Sequence, residues 1–365
     1  TQKFPEVVEK SRSMRELLLE AYGSAQGSRA GEFRGIWDHD GTGLYPGDWG
    51  RTAKVLAESG FTDVFANTMW VGKVHYKSSV LPVSDTCRMY GDQVAQGVAA
   101  AHGKGLKYHV WKVCWRLDGA QAAYVDKIKK QGRLQVTDAG KTINWLCPSR
   151  PENVDEELKG IREVVSSYEV DGIHLDYIRY TSMHACFCQA CRKTFEKEIG
   201  RTVGKWPGDV MSGTLKKPYY TWRALQISRF VRLVKIEVMK VRPEIAVSAA
   251  VYGKYPSSLD SVGQDWPLWL KNNYADFVCP MDYTADPDRF LEYVKGHMEF
   301  EELSSRIYPG IGVTALESRL DAAQVIDQVN ILRKAGAGGF ILFDMNRVLE
   351  KEVLPVLKMG VTAER

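Results

Sequence analysis

From about residue 34 onward, short apolar runs alternate with longer segments in which apolar side chains recur every three or four positions. The short runs have the length of buried strands, and the longer ones have the period of amphipathic helices. Strands are expected at 34–39, 61–67, 106–115, 171–176, 245–251, 275–282, 306–313 and 338–344. Helices are expected between them. One spans 49–59 with Gly60 just past its end, and another spans 92–102. A third follows Ser149-Arg-Pro-Glu152, which has the spacing of a capping box, and carries Val154, Leu158, Ile161, Val165 and Tyr168 on one stripe. The stripe of the 221–241 helix runs through Ile227, Phe230, Val231, Val234, Val238 and Val241, and Pro243 closes it. The last helix opens on a second capping box, Asp321 with Gln324.

Strands that alternate with helices pair in parallel through crossover connections. Eight such units predict an α/β protein, a (β/α)8 TIM barrel with extended loops at its C-terminal face. An open doubly wound sheet would also alternate. The loop after the first strand, Gly41-Thr-Gly43-Leu-Tyr-Pro-Gly47, lacks the spacing of a dinucleotide fingerprint, and no phosphate-cradling Walker loop is present. Residues 1–30 stand apart as an N-terminal helix and linker. The helix, about 5–21, places Val7, Val8, Met14, Leu17, Leu18 and Tyr22 on or near one face, and Gly, Ser and Ala dominate 23–31. The barrel is expected to take residues 31–365. The stretch 200–220, rich in Gly, Pro and aromatic residues, reads as a loop that walls the barrel mouth.

Charge and composition narrow the function. A net charge of +4 with no dense Lys/Arg cluster argues against nucleic acid as a partner. No apolar stretch approaches the roughly 18–20 residues that cross a bilayer. The chain starts at Thr1, as removal of a leader would leave it, so a periplasmic, cell-surface or extracellular location is expected. Ten Trp and 17 Tyr suit the apolar faces and hydroxyl rims of sugars, although large aromatic rings also serve as core packing.

Catalytic groups of such barrels lie at the C-terminal ends of strands. The first strand ends in Trp37, Asp38 and His39. The second ends at Asn67 and Trp70, and the third carries His109 and Lys112. The fourth is the sharpest. Ile173 and Leu175 fall on one face, while His174 and Asp176 point into the barrel near its mouth, followed by Tyr177 and Arg179. Glycoside hydrolysis needs two carboxyl groups that flank the scissile bond. Asp176 and Asp282 are the expected catalytic pair, Asp176 ionised beside Arg179 or Lys112 and Asp282 the acid beside Tyr283. A salt bridge is the alternative for Asp176. Asp38 and Asp344 are reserves, each open to reading as a sugar-hydroxyl ligand or a loop cap. The remaining strand-end residues are expected to bind an oligosaccharide or polysaccharide.

The run Asp171-Gly-Ile-His174-Leu-Asp176-Tyr-Ile-Arg179-Tyr180 resembles the fourth-strand signature of the bacterial glycosyl-hydrolase-like ten family. Arg34-Gly-Ile-Trp37, Trp206-Pro207, Trp222-Arg223 and Ser248-Ala-Ala-Val251 are similar to that family in the same order, across about 34–357. The resemblance implies a (β/α)8 barrel, export and action on glycans. In related retaining barrels of the α-amylase type an Arg precedes the nucleophile by two residues. Here that position is His174.

After the fourth strand come His184, Cys186, Cys188 and Cys191, three thiols and an imidazole within eight residues. Such a set satisfies tetrahedral zinc in a closed, structural site, and an intraloop disulfide is the alternative. Catalysis itself is expected to need no cofactor. Two other functions remain open: a barrel that binds glycan without cleaving it, and a metal-dependent deacetylase or amidohydrolase. The latter wants a His-x-His pair on the first strand, where Asp38-His39-Asp40 supplies one His.

Overall fold

The computed structural model describes residues 3–363. Its strands are β1 (Phe33–Asp38), β2 (Asp63–Trp70), β3 (Lys107–Val113), β4 (Leu134–Val136), β5 (Thr142–Leu146), β6 (Gly172–Asp176), β7 (Ala246–Tyr252), β8 (Phe277–Met281), β9 (Gly310–Gly312) and β10 (Gly339–Phe343). Eight of them close into a parallel barrel in the order β1-β2-β3-β6-β7-β8-β9-β10, and β10 returns to pair with β1. The eight expected strands are those eight, each shifted or trimmed at its ends. The antiparallel hairpin β4–β5 lies between the third and fourth barrel strands, in a stretch that carries no periodic signal.

The pleat sorts side chains into two cores. Trp37, Phe65, Trp111, Cys279 and Ile341 fill the barrel lumen. Ile36, Val64, Val110, Ile173, Leu175, Val247 and Leu342 face outward into the layer under the helices. The lumen is crowded enough to dictate a glycine. A Cβ on Gly172 would stand 2.0 Å from Nδ1 of His109 on the neighbouring strand. The long helix Lys216–Val241 covers this side with Ile227, Phe230, Val231, Val234 and Val238, as its stripe predicts.

Helix entry differs in one instructive place. Asp321 and Gln324 form the reciprocal capping box. Ser149 and Glu152 do not, because Arg150 is the N-cap residue and Pro151 occupies the first turn. The Ser149 hydroxyl turns instead to the sulfurs of Cys147 (3.0 Å) and Cys191 (3.1 Å). The 200–220 stretch holds a short helix, Gly208–Met211, and the first turn of the long one.

The N-terminal helix spans Lys3–Ser24. Its apolar residues Phe4, Met14, Leu17 and Leu18 are exposed, while Tyr22 bonds Asp327 at 2.5 Å. The end of this helix and the segment after it follow the barrel surface closely. Gly23 is buried against Val356, Arg333 bonds the Gly27 carbonyl at 2.7 Å, and Glu32 pairs with both Arg333 and Arg34. Among the described residues no helix is long and apolar enough to cross a membrane.

Candidate active site

β6 delivers the site. Its pleat turns His174 and Asp176 into the lumen, and Asp176, at the C-terminal end, reaches the mouth with 5% of its surface exposed. Trp111 Nε1 donates to Oδ2 of Asp176 at 3.1 Å, and the Tyr177 backbone N–H donates to Oδ1 at 2.6 Å. Burial pushes the Asp176 carboxyl above its ordinary value, opposed by the Arg179 charge and these two donors. Tyr177 takes a positive φ of 52° to turn the chain out of the strand.

His174 lies one layer below. Trp37 Nε1 donates to its Nε2 at 3.0 Å, so its Nδ1–H donates to Ser248 Oγ at 2.8 Å. A ring that accepts from an indole has no place for a second proton, and burial drives its basicity well below that of a free imidazole. It is a neutral strut that orients Trp37 beneath the pocket and, being fully buried, is not a sugar ligand.

Around Asp176 the mouth is aromatic. Trp37, Trp111, Tyr283 and Phe343 surround the opening, with Trp37–Trp111 centroids 6.4 Å apart and Tyr283 stacked on Phe343 at 5.2 Å. His39 is exposed and stands edge-on to Trp111 and Phe343. A hydrogen bond to Asp40 raises its basicity despite partial burial, helped by the charges of Asp344 and Asp176. Asp344, half-buried at the end of β10, bonds the Thr314 hydroxyl and accepts from Asn346 Nδ2 at 2.8 Å. Beyond burial, the charges of both Asp176 and Asp344 push the Tyr283 phenol up. His39 and Tyr283 thus each feel a carboxylate from β6 and another from β10. Arg179 is capped by three rings, Tyr252 at 4.7 Å, Tyr177 at 4.8 Å and Trp145 at 5.4 Å.

Five further sequence-derived assignments change. Asp282 faces away from the mouth: Cys279 and Met281 pack with the lumen cluster, as Tyr283 does, so the pleat turns Asp282 outward. There it is fully buried and bonded through both oxygens to His297 Nε2, at 2.9 and 3.1 Å. Lys112 also points outward, into a buried ion pair with Glu157, and cannot hold Asp176 charged. His109 lies in the lumen but at its N-terminal end, paired with Asp63 at 2.8 Å and stacked on Phe65. Asp38 is an outward turn cap, accepting from Gly41 N (3.1 Å) and Gly43 N (2.8 Å). His184 is exposed and bonds Asp138 at 2.7 Å, apart from the thiols.

Trp37, His39, Trp70, Tyr177, Arg179, Tyr283 and Asp344 remain at or near the mouth, and Asn67 holds the His39 carbonyl at 3.1 Å. Sequence reasoning missed Trp111, Trp145, Tyr252 and Asn346. The alternation that places His109 also turns Trp111 inward, whereas Trp145 arrives on the unforeseen hairpin. Cys186, Cys188 and Cys191 converge with Cys147, and the four sulfurs lie within 4.8 Å of one another, an arrangement that can hold a metal.

The architecture is shared with glycosidase barrels. The glycoside hydrolase domain of PgaB (BpsB) from Bordetella bronchiseptica superposes with a TM-score of 0.68 at 15% identity, over 86% of this chain and 93% of that one. A β-galactosidase from Bacillus circulans sp. alkalophilus gives 0.63 at 13% identity, over 88% of this chain and 52% of that one. An α-L-fucosidase from Paenibacillus thiaminolyticus gives 0.62 at 14%, over 90% and 48%. In sequence, an S-layer-related protein of Niallia circulans is 30% identical over 149 residues, which take in 37% of this chain and 9% of that relative's length. Residues 34–302 match the model of one family across most of the barrel, and the chain belongs to that family, glycosyl hydrolase-like 10.

Proposed function

We propose that this barrel hydrolyses a glycosidic bond within an oligosaccharide or polysaccharide, with Asp176 and Asp344 as the two carboxyl groups. One observation carries the reading. Asp176 is an inward strand-end carboxylate whose two oxygens each accept an N–H, at the floor of an aromatic mouth shared with Asp344. Burial raises the Asp176 carboxyl, while these two donors and the Arg179 charge favour its charged form, and in this reading it meets the anomeric centre as the anion. Asp344, reached across His39 and Tyr283, serves the leaving group or the attacking water. The half-buried rings of Tyr283 and Phe343, backed by the buried Trp37 and Trp111, offer the stacking surface that a sugar face needs. Residues 31–365 form the catalytic unit. The reading also puts the chain outside the cytoplasm, with the name of the S-layer-related relative, matched over 37% of this chain, as its support.

The test is incubation of the purified chain with cell-surface, plant and host glycans, read as new reducing ends. Release by the wild type and its loss in Asp176→Asn is the expected result. Tight binding without release would mark a lectin-like barrel. Released acetate without reducing ends would mark a deacetylase.

A further inference from the structure

We propose that Cys147, Cys186, Cys188 and Cys191 bind one zinc ion that fastens the β4–β5 hairpin to the loop after β6, and so fixes one wall of the barrel mouth. Cys147 follows β5 directly, and the other three lie 10 to 15 residues beyond Asp176. Cys188 is the N-cap residue of the helix Gln189–Ile199, and Cys191 lies in its first turn. The separations fit the ion. Sulfurs at about 2.3 Å from a tetrahedral zinc lie about 3.8 Å from each other. Here Cys147–Cys191 is 3.4 Å, Cys188–Cys191 is 3.6 Å and Cys147–Cys188 is 3.7 Å. Cys186 Sγ joins these three within 4.8 Å, and none of the four is in a disulfide.

The surroundings match a thiolate cage. The Val136 backbone N–H donates to Cys186 Sγ at 3.3 Å, and the Ser149 hydroxyl lies on two of the sulfurs. Such donors orient thiolates and spread their charge. All four cysteines are at most 5% exposed, which leaves no open position for water or substrate, so the ion is structural. Its reach to the mouth is short. Trp145 sits two residues before Cys147, packs edge-on to Tyr177 at 5.5 Å, and lies under the Arg179 guanidinium.

Elemental analysis and native mass spectrometry of the full chain, purified without chelator, test this without reference to hydrolysis. The expected result is one zinc per chain, with four sulfur neighbours near 2.3 Å by X-ray absorption, roughly the tetrathiolate distance. His184→Ala keeps the zinc, and Cys147→Ser loses it. If Cys147→Ser is insoluble, cobalt exchanged into the wild type should give the visible bands of tetrahedral tetrathiolate coordination. Iron in place of zinc, a mass lower by two disulfides, intact thiols with no metal, or loss of zinc in His184→Ala would each overturn the proposal.

Discussion

Trp111 and Asp176 are joined inside the lumen by an indole N–H that donates to the carboxylate at 3.1 Å, from adjacent strands at the same mouth. The bond stabilises the charged form of a carboxyl that burial pushes the other way. Asp176 acts as an anion, so kcat/KM should rise with pH through its raised pKa, and the acid limb should lie above the ordinary carboxylate range. Trp111→Phe removes one donor and keeps an aromatic ring, smaller than the indole. The pH profile should then show that limb displaced further upward, whereas an unmoved limb would separate Trp111 from the titration.

Asp282 is a structural carboxyl bonded through both oxygens to His297, and burial pushes it above its ordinary value. Asp282→Asn should lower stability by about 1–3 kcal/mol, the cost of disturbing a buried hydrogen-bonded pair. Turnover per folded molecule should stay within tenfold. Urea unfolding combined with active-fraction kinetics measures both, and a large loss of kcat in fully folded protein would return Asp282 to the catalytic set.

The Lys112–Glu157 pair gives a parallel test in the layer between β3 and the helix Pro151–Ser167. Lys112→Met alone leaves Glu157 buried and uncompensated and should cost about 3–5 kcal/mol. Adding Glu157→Leu should recover most of that loss. A double-mutant cycle by chemical denaturation checks it, and additive losses would contradict the pairing.

These residues show why the sequence is legible in one strand and less so in others. Alternation through Ile173, His174, Leu175 and Asp176 settles which residues enter the lumen, and β6 obeys it. Applied to β8 the same rule turns Asp282 outward, so pleat is a better guide there than proximity to the strand end. The partner of Asp282 is 15 residues away on a helix, Glu157 is 45 residues from Lys112, and Cys147 is 39 residues from Cys186. None of these pairings is visible in local spacing. His184, two residues before Cys186, therefore looks like the fourth ligand, although the fourth thiol comes from another loop.

Asp38 carries the pH signature of an outward, buried carboxyl. Burial lifts its pKa to about 7, outweighing the two N–H bonds from Gly41 and Gly43. The folded chain therefore keeps a proton that the unfolded chain has already lost, and stability falls as pH rises from about 4 to about 7. Between about pH 5 and pH 7 this amounts to about 2 kcal/mol, at a limiting slope of roughly 1.4 kcal/mol per unit. Asp38→Asn should flatten the decline by that amount in urea unfolding at several pH values, and should leave kcat within tenfold. An unchanged slope would show that Asp38 does not hold the extra proton.

The most direct measurement is the kinetics of Asp176→Asn, Asp344→Asn and Asp282→Asn on one hydrolysed glycan, with each variant first shown to be folded. Asp176→Asn should lose at least about a thousandfold in kcat, within the range that loss of a positioned catalytic carboxylate produces. Asp344→Asn should also fall steeply, and Asp282→Asn should stay within tenfold of wild type. Near wild-type turnover in folded Asp176→Asn, or a collapse confined to Asp282→Asn, would contradict the assignment of the inward β6 carboxylate as the centre of the reaction.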